Sequence, residues 1–237
     1  KNVLSQEKRY EKAAQSMTQK PLEEEQIQLF FSDIEPLAAS KVIVRLENET
    51  LSIGQRILSQ GLQLTVRGQD KIGIIGPNGV GKSTLLAKLH QLLSGKREIL
   101  LGFMPQDYQD TLQLDLSPVE FLSQTGHKEE IQKIQSHLAS LNFSYPEMHH
   151  QIHSLSGGQQ GKLLLLNLVL CKPNFLLLDE PTRNFSPTSQ PEIRKLFASY
   201  PGGLITVSHD RRFLKEVCTS IYRLTENGLE GVDLQDL

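Results

Sequence analysis

The run Gly76-Pro77-Asn78-Gly79-Val80-Gly81-Lys82-Ser83 constrains this chain more than any other feature, because it fills the G-x-x-x-x-G-K-S pattern completely. An apolar segment, Lys71-Ile72-Gly73-Ile74-Ile75, precedes it and reads as a strand. Thr84-Leu85-Leu86-Ala87-Lys88-Leu89 follows and opens an amphipathic helix. Between the two, glycines permit a tight turn whose successive N–H groups converge on a polyphosphate, helped by the positive end of the helix dipole. In this reading the turn from Gly76 to Thr84 holds the phosphates, Lys82 reaches the terminal ones and Ser83 ligates magnesium. A Gly-rich turn without chemistry is the alternative; a full match in a strand-to-helix setting argues against it.

A carboxylate pair follows downstream, in Phe175-Leu176-Leu177-Leu178-Asp179-Glu180-Pro181-Thr182. The continuous apolar run, opened by Pro173-Asn174, reads as a buried parallel strand that delivers both acids to the C-terminal edge of a sheet. Asp179 is placed to hold the magnesium shell, directly or through water, and Glu180 to polarise a water for in-line attack on the terminal phosphorus. By itself an acidic pair ending a strand is equally a helix N-cap. The phosphate loop upstream weighs against that.

A third motif, Leu155-Ser156-Gly157-Gly158-Gln159, precedes an apolar helix expected over Gln160 to Cys171. The Ser156 hydroxyl and the N–H groups of Gly157 and Gly158 can donate to a phosphate facing that helix N-terminus. Taken alone, the five residues also fit an ordinary serine N-cap with flexible glycines.

Composition narrows the class. A chain of 237 residues suits one α/β domain with a smaller lobe. Its net charge of −2 provides no global basic footprint for nucleic acid. Cys171 and Cys218 lack metal-ligand spacing and are expected to be reduced, buried residues of a cytosolic protein. No apolar run approaches the roughly 18–20 residues that span a bilayer; the longest, Leu163 to Cys171, is interrupted by Asn167. No secretory signal is read, and a chain beginning at Lys1 is expected to be a fragment of something longer. His149 and His153 form an i, i+4 pair, but neither cysteine nor an organised carboxylate set accompanies them, so a zinc site is not expected.

From about Val42 to the C-terminus the chain resembles the ATP-binding cassette superfamily. The resemblance rests on the three motifs above, on Gln106 after Ile99-Leu100-Leu101-Gly102-Phe103-Met104, and on Ser208-His209-Asp210 after Leu204-Ile205-Thr206-Val207. It implies an α/β P-loop nucleoside-triphosphatase fold: a RecA-like core, an antiparallel β subdomain and a helical subdomain near residues 108–170. It further implies ATP and Mg2+ as ligands, with Gln106 joining the metal shell and His209 steadying the terminal phosphate. Ser156, Gly157, Gly158 and Gln159 would cap nucleotide held by a second cassette, so that one cassette is half of each site.

Within the superfamily the chain resembles the second half of the ABC-F proteins, in which two cassettes share one polypeptide without a membrane domain. The residues behind this are a basic tail followed by Glu23-Glu24-Glu25, the wording around Ile74 to Gly79, and Val207-Ser208-His209-Asp210-Arg211-Arg212-Phe213-Leu214. Leu155 to Leu166, with Lys162, is most similar to the antibiotic-resistance branch. This implies an interdomain linker ending near residue 36, a cassette over 37–237, a cytoplasmic location and the ribosome as partner. The other cassette would be the N-terminal half of the same polypeptide, or a second copy of the fragment. A nucleotide-binding subunit of a membrane transporter is the competing reading of the same chemistry.

Two departures stand out. After Thr182 the ABC-F pattern has Asn-His-Leu-Asp, whereas this chain has Arg183-Asn184-Phe185-Ser186. Where many cassettes stack an aromatic ring on adenine, the chain has Ile53, which implies apolar base contact and weaker nucleotide selectivity. Finer expectations are strands near Val42 to Leu46 and Leu62 to Val66, a helix over Glu129 to Leu141, and a closing type I′ hairpin at Asn227-Gly228.

Overall fold

The computed structural model describes residues 29–237. Most of the expected linker, residues 1–36, therefore lies outside the described residues. Two strands, β1 (Val42–Ile53) and β2 (Arg56–Arg67), pair as an antiparallel ribbon. The remaining strands are β3 (Lys71–Ile75), β4 (Leu101–Met104), β5 (Phe175–Asp179), β6 (Gly203–Val207), β7 (Ser220–Thr225) and β8 (Gly228–Val232). They form one sheet in the order β4-β5-β6-β3-β7-β8, parallel throughout except for the β7–β8 hairpin.

Helices cover both faces of this sheet, which is why its central strands are apolar on both sides. On one face, α1 (Lys82–Ser94) and the ribbon pack Leu85, Leu86, Leu89 and Leu93 against Ile72, Ile74, Leu177 and Ile205. On the other, α5 (Gly157–Cys171), α6 (Gln190–Ala198) and α7 (Arg211–Val217) pack against Leu176, Leu178 and Leu204. The alternation of Phe175 and Leu177 with Leu176 and Leu178 between the two cores is the period-2 pleat of a strand. Between β4 and α5 lies a helical lobe: α2 (Pro118–Leu122), α3 (Lys128–Ser140) and α4 (Tyr145–His149). Residues Leu163 to Leu166 of α5 are fully buried, as expected for a helix that is apolar all round and gripped between lobe and sheet.

Several expectations are corrected. The ribbon strands are 12 residues each, because pairing continues past the apolar stretches to the turn at Gly54, where φ is 56°. Cys171 is exposed on the last turn of α5; only Cys218 is buried, its thiol pushed up to about 12 by that burial. The closing hairpin exists, but of Glu226-Asn227-Gly228 only Gly228 has a positive φ, 114°. Type I′ geometry needs positive φ at both central residues, so the turn is of another type. His149 closes α4 while His153 sits in a separate 3-10 turn, so the two do not share a helix face.

Candidate functional site

All but one of the predicted chemical motifs fall at the same end of the parallel sheet. The loop at residues 76–81 follows β3, Gln106 follows β4, Asp179 ends β5 with Glu180 next to it, and Ser208-His209 follow β6. Those four strands are neighbours, so their C-terminal ends line one edge, where open α/β sheets bind ligands. There a cleft of about 640 Å³ is lined by Asn78, Gly79, Gly81, Lys82, Ser83 and Thr84 together with Gln106, Asp179, Glu180 and His209. Ile53 and Leu58, from the ribbon, supply an apolar wall.

The loop adopts backbone that side chains disfavour. Gly76, Gly79 and Gly81 have φ of 151°, 81° and 106°, and Gly81 caps α1 in the left-handed region. A Cβ on Gly81 would stand 3.1 Å from Leu58 Cδ1, so the ribbon side chain would also have to give way there. Gly76, Pro77 and Val80 belong to the loop without lining the cleft. Lys82 Nζ donates to the carbonyls of Gly76 and Pro77 at 2.8 and 2.9 Å, which aims the ammonium along the loop. Burial lowers its pKa, opposed by the charges of Glu180 and Asp179.

The two acids differ in surroundings. Asp179 is 5% exposed. Burial raises its carboxyl above the usual range, opposed by a hydrogen bond from Ser83 and by the charges of Lys82 and Arg183. Glu180 stands in the left-handed region, φ 53°, a strained setting of the kind that clusters at functional sites. Its N–H donates to the Val207 carbonyl at 2.8 Å and its carboxylate accepts from the His209 N–H at 3.2 Å. Burial is also the main cause that raises the Glu180 carboxyl. The His209 ring lies 3.7 Å from Glu180 Oε1. Its segment is held by Asp210, which caps α7 by accepting from the N–H groups of Arg212 and Phe213. Arg194 from α6, nearly buried, clamps Glu216 of α7 through Nε at 3.1 Å to both carboxylate oxygens.

Ser83, Gln106 and Asp179 offer only oxygen ligands, one of them a carboxylate, and Ser83 already hydrogen-bonds Asp179. That hard-oxygen set fits Mg2+.

The exception is the serine-glycine motif. Ser156 caps α5, which starts at Gly157 rather than at Gln160, through a capping box with Gln159. Gln159 accepts from the Ser156 N–H at 2.9 Å and donates to Glu147 of α4 at 2.6 Å, tying the tip to the helical lobe. Neither Ser156, Gly158 nor Gln159 lines the cleft; Gly157 faces an adjoining one. Within one chain Ser156, Gly158 and Gln159 thus stand apart from the phosphate-loop cleft, while Gly157 shares the adjoining one with Ser83. Leu58, Val207 and Arg183 line the cleft without having been expected there, and of the three only Arg183 is charged. Its place three residues after Glu180, in the loop leaving β5, was the available signal.

A phosphate loop, an acidic strand end and a histidine on one parallel sheet edge define a P-loop nucleotide-binding domain. The family model described as ABC transporter matches residues 59–183, more than half of the chain, and the chain belongs to that family. An uncharacterized ABC transporter ATP-binding protein of Schizosaccharomyces pombe is 31% identical over 222 residues, covering 91% of this chain and 30% of that protein. The probable ATP-binding protein YheS of Escherichia coli K12 is 30% identical over 210 residues, 86% of this chain and 33% of its own length. ABC transporter F family member 2 of Arabidopsis thaliana is 26% identical over 234 residues, 95% and 34%. The chain spans about a third of the length of these relatives. Among solved structures, the dimeric post-hydrolysis ATP-binding cassette MJ0796 with ADP and Pi superposes with a TM-score of 0.67 at 20% identity, covering 80% of this chain and 98% of that one. A bacterial Atm1-family ABC exporter with ATP bound gives 0.68 at 18% identity, covering 86% and 41%. At such identities these two establish the shared fold: an ABC-type domain with an antiparallel β ribbon and a helical lobe.

Proposed function

We propose that this chain binds ATP in the cleft at the sheet edge and hydrolyses it as one half of a head-to-tail pair of cassettes. The observation that carries the reading is the convergence of Lys82, Ser83, Gln106, Asp179, Glu180 and His209 on that single cleft. The loop from Gly76 to Thr84 grips the phosphates through backbone N–H groups, and Lys82 adds charge at the terminal ones. Ser83, Gln106 and Asp179 would hold Mg2+, which when bound would neutralise developing phosphate charge. Glu180, its proton affinity raised by burial, accepts a proton from the attacking water while accepting a hydrogen bond from His209 N–H. His209 Nε2 steadies the terminal phosphate. The separation of Ser156 and Gly158 from the cleft supports the pairing: the tip has a phosphate to cap only if a second cassette brings one.

The wider assignment is the second cassette of an ABC-F factor that works on the ribosome, in the antibiotic-resistance branch. Support comes from the relatives carrying the F-family name, each about three times the length of this chain. Among the described residues no helix is long and apolar enough to cross a membrane. The test is cosedimentation of the full-length protein carrying Glu180→Gln with ribosomes. Retention that requires ATP supports the assignment. Absence of retention, with copurification of a membrane permease instead, favours the transporter subunit.

The base contact yields a separate prediction. Ile53 and Leu58 present no hydrogen-bonding groups, and apolar walls discriminate poorly between purines. GTP is expected to displace a fluorescent ATP analogue with an affinity within about threefold of ATP. A GTP affinity a hundredfold weaker would show that another group reads the base.

A further inference from the structure

Arg183 stands on the wall that joins two clefts. It lines the phosphate-loop cleft and also the adjoining one of about 770 Å³, and Ser83, Gln106 and Asp179 line both as well. Arg183 is thus on the side of the site that carries the oxygen set suited to a divalent cation, and its charge acts on Asp179. Its backbone is set by the turn that follows the acid pair, where the Arg183 N–H donates to the Glu180 carbonyl at 3.1 Å, while the residue itself is exposed.

Formal charges in the phosphate-loop cleft give this placement a consequence. Lys82 and Arg183 are its lysine and arginine, Asp179 and Glu180 its carboxylates. With both cations the four groups cancel. With a neutral residue at position 183 two carboxylates would oppose one ammonium, and an incoming polyphosphate would meet net repulsion until a divalent cation offset it. Arg183 also offers what Lys82 does not: a planar fork of donors that matches phosphate oxygens two at a time.

Resting on the ATP-binding reading above, we propose that Arg183 is a second phosphate-contacting cation of this cleft, which lets the chain hold a nucleoside triphosphate without a divalent metal. It is a ligand-binding and metal-dependence determinant. The guanidinium takes over part of the charge neutralisation that a metal would supply, and it weakens metal binding at the neighbouring Asp179, on which its charge already acts, for the same reason.

The experiment is ATP titration of the whole chain by calorimetry, once with Mg2+ and once with excess EDTA, for wild type, Arg183→Asn, Arg183→Lys and Lys82→Ala. Melting curves establish that each variant is folded. Wild type is expected to lose less than about tenfold in affinity when Mg2+ is removed. Arg183→Asn should lose about tenfold more than wild type in EDTA, yet no more than about twofold in Mg2+, and Arg183→Lys should fall between. Equal affinities of wild type and Arg183→Asn in EDTA overturn the proposal, as does an equal loss in both conditions. In either case ATP binding abolished by Lys82→Ala leaves the broader reading standing. If wild type binds ATP in neither condition, it is the broader reading that fails.

Discussion

Replacing Glu180 by Gln is expected to lower phosphate release at least about 100-fold while ATP affinity stays within about threefold. The amide keeps the shape of the carboxylate and can still accept the hydrogen bond from His209 N–H, so the loop geometry is retained. What it loses is the capacity to take a proton. Because Lys82, Ser83 and the loop are untouched, binding survives, and ATP is expected to hold the intact protein in a closed pair that runs larger on size exclusion than wild type does. The same change has a stability signature. Burial raises the Glu180 carboxyl in the folded state, so the folded protein binds that proton more tightly than the unfolded chain. Stability therefore falls as pH rises from the ordinary glutamate range through the raised value, and above it wild type carries the full penalty of an ionised, desolvated acid. Glutamine carries none. The variant is expected to melt above wild type at pH 8, by about 2–4 °C for each kcal/mol relieved, with the gap closing toward pH 4. A variant that releases phosphate at the wild-type rate would remove Glu180 from the chemistry.

What was legible in the sequence divides along physical lines. Strands β3, β5 and β6 match their expected bounds within a residue, because a strand buried on both faces is a short apolar run with sharp polar ends. The ribbon was read only in part. Its turn-side halves carry Glu47 and Gln60, which are exposed, and Glu49, which pairs with Lys88 of α1, so strand pairing continues where the hydrophobic pattern weakens. The start of α5 was misplaced by three residues since Gly157 and Gly158 look like loop, whereas the reciprocal Ser156–Gln159 cap supplies the helix nucleus. Cys171 was expected inside from its apolar neighbours, but it ends a helix whose last turn reaches the surface. The candidate site residues stand in local motifs at strand ends. The strand order that brings them together was not legible, because β3 sits between β6 and β7 through contacts far apart in sequence. Arg183 illustrates the remaining gap: spacing says that a loop exists, but not that a side chain on it turns toward the phosphate loop.

Gly76→Ala is the substitution expected to do most damage to the fold at the site. Gly76 has a φ of 151°, and a Cβ there would stand 2.7 Å from the carbonyl oxygen of Leu224 and 3.3 Å from Val80 Cγ1. The nearer neighbour is backbone, and it is not free to move. Leu224 belongs to β7, which pairs with β3 on one side and with β8 on the other, Ile75 opposite Arg223 and Leu224 opposite Leu229. The added methyl must therefore push the phosphate loop away from the sheet, and with it the Gly76 and Pro77 carbonyls that hold Lys82. Overpacking and backbone strain each cost about 1–3 kcal/mol, so the melting temperature is expected to fall by roughly 4–24 °C and ATP affinity by at least about tenfold. Two companions separate these causes. Gly79→Ala meets nothing within 4 Å but sits at φ 81°, so it should show the torsional cost alone. Gly157→Ala meets nothing within 4 Å and has no positive φ, so its melting temperature should match wild type. Only the order Gly76 below Gly79 below Gly157 is consistent with a loop wedged against β7. If Gly76→Ala melts with Gly157→Ala, the loop yields freely, and the rigid backbone cradle that the phosphate site requires is absent.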